Sequence, residues 1–167
     1  MKRKLLILTV IISSTLLSAC HREVRQLTGN YSYKISGEAT VSDADGETSY
    51  LMVSKRGQMN ILRDRNDKDK VLITMNETAG GVYSFTATVK SDSLILDPYQ
   101  FTTNILSEAS LNPFQDENAT LVFQIDVSGS GFSNDDIIII NEQWSGRQSS
   151  GNVTLAAPKM TMIAERN

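Results

Sequence analysis

The chain has 167 residues, with 16 basic and 19 acidic side chains, a formal net charge of −3, one cysteine and one histidine. The histidine, His21, lies near the N-terminus, so the remainder of the chain lacks the imidazole of a Ser-His-Asp or Cys-His system and the usual ligands of zinc. An acidic chain without a basic run also argues against nucleic-acid binding. We therefore expect a non-enzymatic protein without metal or cofactor.

The N-terminus has the layout of an export signal. Residues 2–4 are basic, residues 5–17 are predominantly apolar, and the small residues Ser18 and Ala19 precede Cys20. The apolar run is shorter than the roughly 20 residues that a transmembrane helix needs. This pattern predicts a signal peptide over residues 1–19.

The sequence Leu17-Ser18-Ala19-Cys20 resembles the lipobox of bacterial lipoproteins at every position. The resemblance implies that Cys20 is acylated, with diacylglycerol and palmitate-type chains, and becomes the first residue of the mature chain. Two or three acyl chains give a lasting membrane anchor, whereas one is marginal. An ordinary signal peptide followed by a spare cysteine is the alternative. Removing residues 1–19 takes away three basic residues, which leaves 13 against 19 and a net charge of −6.

Residues 20–26 are predicted to be a lipidated tether, and residues 27–167 a single domain. The membrane is thus an expected partner through the acyl anchor, while the sequence leaves open whether there is a protein partner. Surface display is often marked by an acidic cluster just after the cysteine, and residues 21–26 contain none. The expected location is the outer membrane of a bacterium, with the periplasmic side favoured over the cell surface.

The first half of the domain alternates apolar and polar residues with the period of a β-strand. Gly37 interrupts one such run and predicts a bulge or bend. The predicted apolar runs are 31–35, 39–41, 51–53, 59–62 and 71–75, separated by a turn at 42–46, a hairpin tip at 55–58 and a charged turn at 63–70.

The second half repeats the alternation after Gly80-Gly81. The predicted strands are 83–89, 94–96, 121–127, 137–140, 153–155 and 160–163, with turns at 92–93 and 129–131. About eight to ten short strands with regular turn signals predict an all-β fold, a single antiparallel barrel or alternatively a β-sandwich.

The stretch from Pro98 to Ala119 breaks this regularity. Residues 104–111 are compatible with one short helix, and the stretch is long for a connection in a small domain. Loops of this length are usually functional or disordered. We interpret it as a candidate lid over one end of a barrel.

Aromatic residues within the predicted strands are the remaining candidates for a binding site, although plain core packing is the favoured explanation for them. Small barrels either fill their interior with side chains or hold one small ligand there. The predicted ligand-binding residues are Tyr33, Phe85, Phe123 and Trp144.

The sequence Gly29-Asn30-Tyr31 resembles the Gly-x-Trp opening of lipocalin-type (calycin) barrels, with tyrosine replacing tryptophan. In its overall plan the chain is similar to small lipocalin-like lipoproteins of Gram-negative anaerobes. Separately, Asp92-Ser93-Leu94 resembles a three-residue O-glycosylation motif of such bacteria, which implies a candidate glycan on Ser93.

The favoured hypothesis is a lipid-anchored envelope protein that binds a small, partly apolar molecule or a glycan without chemistry. The first alternative is an interaction protein that docks onto an envelope partner. The second is a glycan-active enzyme that uses carboxylates alone, which would need two of them at the appropriate spacing in a cleft.

Overall fold

The computed structural model describes residues 24–104, 122–134, 136–149 and 151–167. Cys20 and residues 105–121, which include most of the predicted lid and helix, lie outside the described residues. The described part forms one antiparallel sheet of nine strands: β1 (Gly29–Ser42), β2 (Thr48–Arg63), β3 (Lys70–Glu77), β4 (Val82–Lys90), β5 (Ser93–Leu96), β6 (Tyr99–Asn104), β7 (Val122–Ser133), β8 (Ile137–Gln148) and β9 (Thr154–Arg166).

The sheet closes on itself into a barrel. Its strand order is β5-β4-β3-β2-β1-β9-β8-β7-β6, and β5 also pairs with β7, so that eight strands complete the ring and β6 is additional. The predicted all-β barrel is therefore confirmed, and the sandwich alternative is wrong. No helix in the described part is long and apolar enough to cross a membrane.

Alternation places one side of each strand inside the barrel, where the core lies. The largest fully buried side chains come from six of the strands and include Ile35, Met59, Ile73, Leu94 and Ile125. Within the ring of eight paired strands, closure removes the free edges at which another chain could pair.

One end of the barrel is closed by a single helical turn, residues 24–27, whose Val24 and Leu27 are buried in the core. The hydroxyl of Tyr31 donates to the carbonyl of Leu27 at 2.9 Å, and Arg166 donates to the carbonyl of Thr28 at 3.0 Å. The folded unit therefore begins by Val24, within the segment 20–26 that was assigned to the tether.

A bulge in β9 lies at the predicted bend. Gly37 pairs with Met160 and Thr40 with Ala156, so β9 has one residue more than β1 across this interval. The sulfur of Met160 would lie 2.6 Å from a Cβ on Gly37, and the exposed Pro158 falls inside the bulge, where a strand tolerates a missing N–H. The bulge at Gly37 is thus confirmed.

Two predicted turns are wrong because their glycines serve close backbone contacts within long strands. Gly57 lies inside β2, and a Cβ there would meet the carbonyl oxygen of Asn76 at 2.1 Å and the ring of Tyr33 at 2.9 Å. Gly131 lies inside β7, where a Cβ would meet the carbonyl oxygen of Ile139 at 1.9 Å. Both segments are continuous strands, and the turn after β7 follows Ser133 instead.

The irregular stretch predicted from Pro98 is shorter at its start than expected. Residues Tyr99–Asn104 form β6, which pairs with β7 from Tyr99↔Val127 to Asn104↔Val122. Asp97 and Pro98 separate β6 from β5, since proline cannot donate to a strand ladder.

Candidate functional site

The break at Asp97-Pro98 opens a seam in the barrel wall. β4 pairs with β5 only from Ala87 to Lys90, and β6 pairs only with β7, so no ladder joins β6 to residues Val82–Thr86 of β4 among the described residues. The last backbone bond before the seam runs from the amide of Asp97 to the carbonyl of Thr86, at 2.9 Å. The seam is the place where side chains, not backbone bonds, form the wall.

Asp97 holds this break in place. Its Oδ2 accepts a hydrogen bond from Lys70 Nζ at 2.6 Å and another from the hydroxyl of Thr86. These two bonds lower the pKa of Asp97 below its ordinary value, with the Lys70 bond the larger cause. Asp97 is therefore the fixed point at which the strand turns away from β4.

Five aromatic side chains, the aromatic cluster, fill the seam from the inside. The ring of Phe85 stacks on that of Tyr99 with centroids 3.9 Å apart, and Tyr83 stacks on Phe101 at 4.8 Å. Trp144 of β8 meets Phe101 edge-on at 5.3 Å and 79°. Tyr83 and Tyr99 are half-buried and the other three are buried, so the two tyrosines lie nearest to solvent.

A buried ion pair lies in the same interior. Lys55 Nζ of β2 contacts Glu77 Oε1 at the end of β3 at 2.6 Å, with only 6% and 8% of the two side chains exposed. Lys55 also donates to the hydroxyl of Thr103 in β6. This pair connects β2 and β3 to β6 through the interior.

Four further polar atoms are buried without a hydrogen bond of good geometry among the described residues. They are the hydroxyls of Tyr33, Tyr83 and Tyr99 and Oε1 of Glu142. The Tyr33 and Tyr83 hydroxyls lie near enough to each other for a hydrogen bond between them to shift both pKa values, so Tyr99 and Glu142 are the clearer cases. The other carboxylate oxygen of Glu142 accepts a bond from Trp144 Nε1 at 2.7 Å. Buried polar groups in proteins are overwhelmingly paired, and each exception needs an explanation.

Burial shifts the titration of these groups in one direction. It raises the pKa of Glu142 to about 7, against the opposing effect of the Trp144 hydrogen bond. It raises the pKa of Tyr33 to about 12, with the negative charge of Glu77 as the next cause. The pKa values of Tyr83 and Tyr99 are also raised, mainly by burial and in part by the charge of Glu142. The phenols stay neutral near pH 7, and Glu142 is poised between its charged and neutral forms.

The structure places all four predicted ligand-binding residues inside the barrel. Phe85 and Trp144 belong to the aromatic cluster, and Tyr33 is one of the four residues with an unpartnered atom. Phe123 is fully buried and makes no ring contact within the described part, so it packs in the core beside Thr103. A binding role for these residues stays a prediction.

Sequence reasoning missed the charged interior residues, which fall in register with buried apolar neighbours. Lys55 follows Leu51 and Val53, Glu77 follows Ile73 and Met75, and Glu142 follows Ile138 and Ile140 at spacings of two. A charge at an inward position of an alternating run was the available signal. Tyr99 and Phe101 were missed because they were assigned to the lid.

A groove of about 360 Å³ lies on the outer wall near Pro98 and Pro158. Trp144 and Val127 are its buried lining residues, and most of the remainder are exposed residues of β7, β8 and β9. Trp144 is thus shared between this groove and the aromatic cluster. In the described ranges, no three His, Cys, Asp or Glu side chains are grouped so that they could hold a metal ion.

No protein-family model and no curated protein matches the chain. Among solved structures, the protein described as EF1p2_mFAP2b bound to DFHBI has 14% identity and a TM-score of 0.45, and the match covers 89% of this chain and 99% of that one. The redesigned barrel mFAP1, also bound to DFHBI, has 17% identity and a TM-score of 0.39 over 87% and 99%. The attachment invasion locus protein Ail of Yersinia pestis has 9% identity and a TM-score of 0.43 over 83% and 99%.

These are loose likenesses among β-barrels. The fold of this chain rests on its own strand pairing.

Proposed function

We propose that this chain is an acyl-anchored protein of a bacterial cell envelope whose barrel binds a small, partly apolar molecule or a glycan without chemistry. The observation that carries the binding role is the set of buried polar atoms in and beside the aromatic cluster that lack a well-formed hydrogen bond, above all the Tyr99 hydroxyl and Oε1 of Glu142. A bound molecule with hydrogen-bonding groups would satisfy those atoms while its apolar part contacts the rings. The lipocalin resemblance of residues 29–31 supports the same role.

Access to the interior runs through the seam. The four unpartnered atoms have no accessible surface in this structure, so a ligand must displace side chains to reach them. Tyr83 and Tyr99 can move because no β4–β6 ladder holds their strands together and both are already half-buried. Glu142 in its neutral form would donate one hydrogen bond, and in its charged form it would accept one.

The binding test uses Trp144, the only tryptophan of the chain, as an intrinsic reporter. Its emission is titrated with N-phenyl-1-naphthylamine as an apolar probe and with the disaccharide chitobiose as a glycan probe. We expect one of the probes to change the emission saturably, with a Kd of roughly 1–100 µM. That range corresponds to about −8 to −5 kcal/mol.

Two variants locate the bound probe. Glu142→Gln should change the affinity because it alters an unpartnered interior atom, whereas Ala156→Leu fills the outer groove and should leave interior binding intact. Binding that disappears in Ala156→Leu and persists in Glu142→Gln would place the ligand in the outer groove. No saturable response to either probe up to millimolar concentration would refute the binding role.

The anchoring part of the proposal rests on the lipobox resemblance around Cys20, and the location proposed is the periplasmic side of the outer membrane. Cys20→Ser should release the protein from membranes or leave it unprocessed, as membrane fractionation would show. Mass spectrometry of the native protein should find the acyl mass on the N-terminal cysteine. An unmodified thiol with residues 1–19 still attached would contradict this part alone, without touching the binding role.

A further inference from the structure

The β1–β2 hairpin has an unpaired edge beyond the barrel ring. β2 pairs with β1 from Thr48 to Ile61, but with β3 only from Gly57 to Arg63. The amide of Thr78 donates to the carbonyl of Arg56 at 2.9 Å, and no described strand continues the ladder toward Thr48. The segment Thr48–Lys55 is therefore a strand edge without a partner in the described part of the chain.

The backbone groups that face this edge follow from strand geometry. The N–H and C=O of one residue point to the same side of a strand, and successive residues alternate. Because the carbonyl of Arg56 faces the β3 side and β2 pairs with β1 without a register shift, the even-numbered residues upstream face the free edge. These residues are Thr48, Tyr50, Met52 and Ser54.

The edge lacks the devices that usually prevent pairing with another chain. No charged residue and no proline occurs from Thr48 to Ser54, although lysine, proline and bulges are the common protections. The same even-numbered residues carry exposed apolar side chains, since Tyr50 is 70% and Met52 73% exposed. An uncharged edge of this kind is a template for strand addition.

We propose that a second copy of this chain pairs with this edge, antiparallel and about a two-fold axis at Leu51. In that register Tyr50 lies opposite Met52 of the second copy, and Thr48 lies opposite Ser54 of the second copy. The whole uncharged run pairs with itself, and the two exposed apolar side chains cover each other on the outer face. The two barrels then share one continuous sheet.

The charges at the two ends of the run favour a second copy over an unrelated strand. Glu47 precedes the run and Arg56 follows it, and both side chains are exposed and without a salt bridge among the described residues. Antiparallel pairing in this register places Glu47 of each copy opposite Lys55 and one position away from Arg56 of the other. The edge is thus complementary to itself in both its apolar and its charged residues.

Disulfide cross-linking in membranes tests this register with the full-length, acylated chain. In the double variant Thr48→Cys/Ser54→Cys, cysteines opposite each other across the dimer lie at about 5.5 Å between Cα atoms, within disulfide range. Within one copy they are six residues apart along a strand, roughly 20 Å, and cannot join. Oxidation should give a covalent dimer in the double variant and little in either single variant.

A further substitution separates specific pairing from collision. Adding Met52→Lys to the double variant places two like charges near the two-fold axis. We expect the cross-linked fraction to fall at least about tenfold, which corresponds to a weakening of dimer association by about 1.4 kcal/mol. Leu62→Lys, at an exposed position of β2 that pairs with Leu72 of β3 and lies outside the proposed edge, should leave it unchanged. Circular dichroism confirms that each variant keeps its sheet content.

Three results would overturn the proposal: no covalent dimer in the double variant, equal dimer in the single variants, or no effect of Met52→Lys. The first result would also follow if another segment of the same chain covered the edge, and that outcome equally excludes a second copy.

Discussion

Replacing Lys55 by methionine should destabilise the barrel more than any other loss of a single charge in the described part. The change keeps the length of the side chain and leaves Glu77 buried, with only 8% of its side chain exposed and its cationic partner gone. At 2.6 Å and an effective dielectric constant of about 20, the lost attraction is roughly 6 kcal/mol. Relaxation of the surrounding side chains reduces this, and broken buried pairs typically cost about 3–5 kcal/mol.

Urea denaturation at pH 7, followed by the emission of Trp144, measures this loss. For a domain of this size, about 3–5 kcal/mol corresponds to a fall in Tm on the order of 10 °C. The matched control is Lys34→Met, which removes an exposed lysine of β1 and should change stability by less than about 0.5 kcal/mol.

The double variant Lys55→Met/Glu77→Leu tests whether the loss of stability comes from the unpaired charge or from packing. An apolar pair of similar volume avoids the desolvation of two ions, so the double variant should regain most of the stability lost in Lys55→Met. A loss below about 1 kcal/mol in Lys55→Met would show that Glu77 reaches water, and a double variant as unstable as the single one would show that packing, not charge, decides the outcome.

Three further variants follow from the same structure. Because the pKa of Glu142 is raised in the wild type, the folded state keeps a proton between pH 4.5 and 7 that the unfolded state loses. The free energy of unfolding should therefore fall by roughly 3 kcal/mol as the pH rises through this range. Glu142→Gln should flatten this pH dependence, as urea titrations at several pH values would show. Gly57→Ala should cost about 1–3 kcal/mol because its Cβ would displace the carbonyl of Asn76, and a neutral result would mean that the strands separate easily there. Arg166→Ala should detach the helical turn 24–27, seen as faster amide hydrogen exchange at Tyr31, and unchanged protection would contradict that role.

The alternation of apolar residues was enough to predict the fold class, because each strand of a barrel buries one face and exposes the other. Tyr31, Tyr33 and Ile35 are buried as their spacing indicates, and the first turn falls at Asp43–Gly46. The isoleucine run 137–140 shows the limit of such patterns. It predicts a strand covered on both faces, yet Ile138 and Ile140 are buried while Ile137 and Ile139 are only half-buried.

Strand lengths were mispredicted where glycine and charge coincide. Lys55-Arg56-Gly57-Gln58 has the composition of a hairpin tip, but Lys55 turns inward to Glu77 and Gly57 makes room for the ring of Tyr33. Both reasons are contacts with residues about 20 positions away in sequence. Local composition carries no information on these long-range contacts, so the same four residues are compatible with a turn and with a closely packed strand.

Only part of the candidate site could be predicted from the sequence, again because the rest depends on contacts between distant residues. The alternating pattern predicts that Phe85 and Trp144 point inward. The seam that they line depends instead on tertiary contacts: Lys70 and Thr86 bind Asp97, and β6 does not pair with β4. The sequence shows the break at Asp97-Pro98. It does not show that β6, after this break, pairs with β7 and leaves β4 unpaired.

The unpartnered interior atoms are also the main physical reason to propose a binding role for this barrel. Each buried polar atom left without a partner costs about 1–3 kcal/mol, so the Tyr99 hydroxyl and Oε1 of Glu142 together cost about 2–6 kcal/mol of the 5–15 kcal/mol by which domains are stable. A barrel selected only for stability would hold apolar side chains at Tyr33, Tyr83, Tyr99 and Glu142, as it does at Ile35, one inward position from Tyr33. A molecule that satisfied these atoms on binding would recover that cost as affinity, which is why the titration of Trp144 emission discriminates between a binding site and an imperfect core.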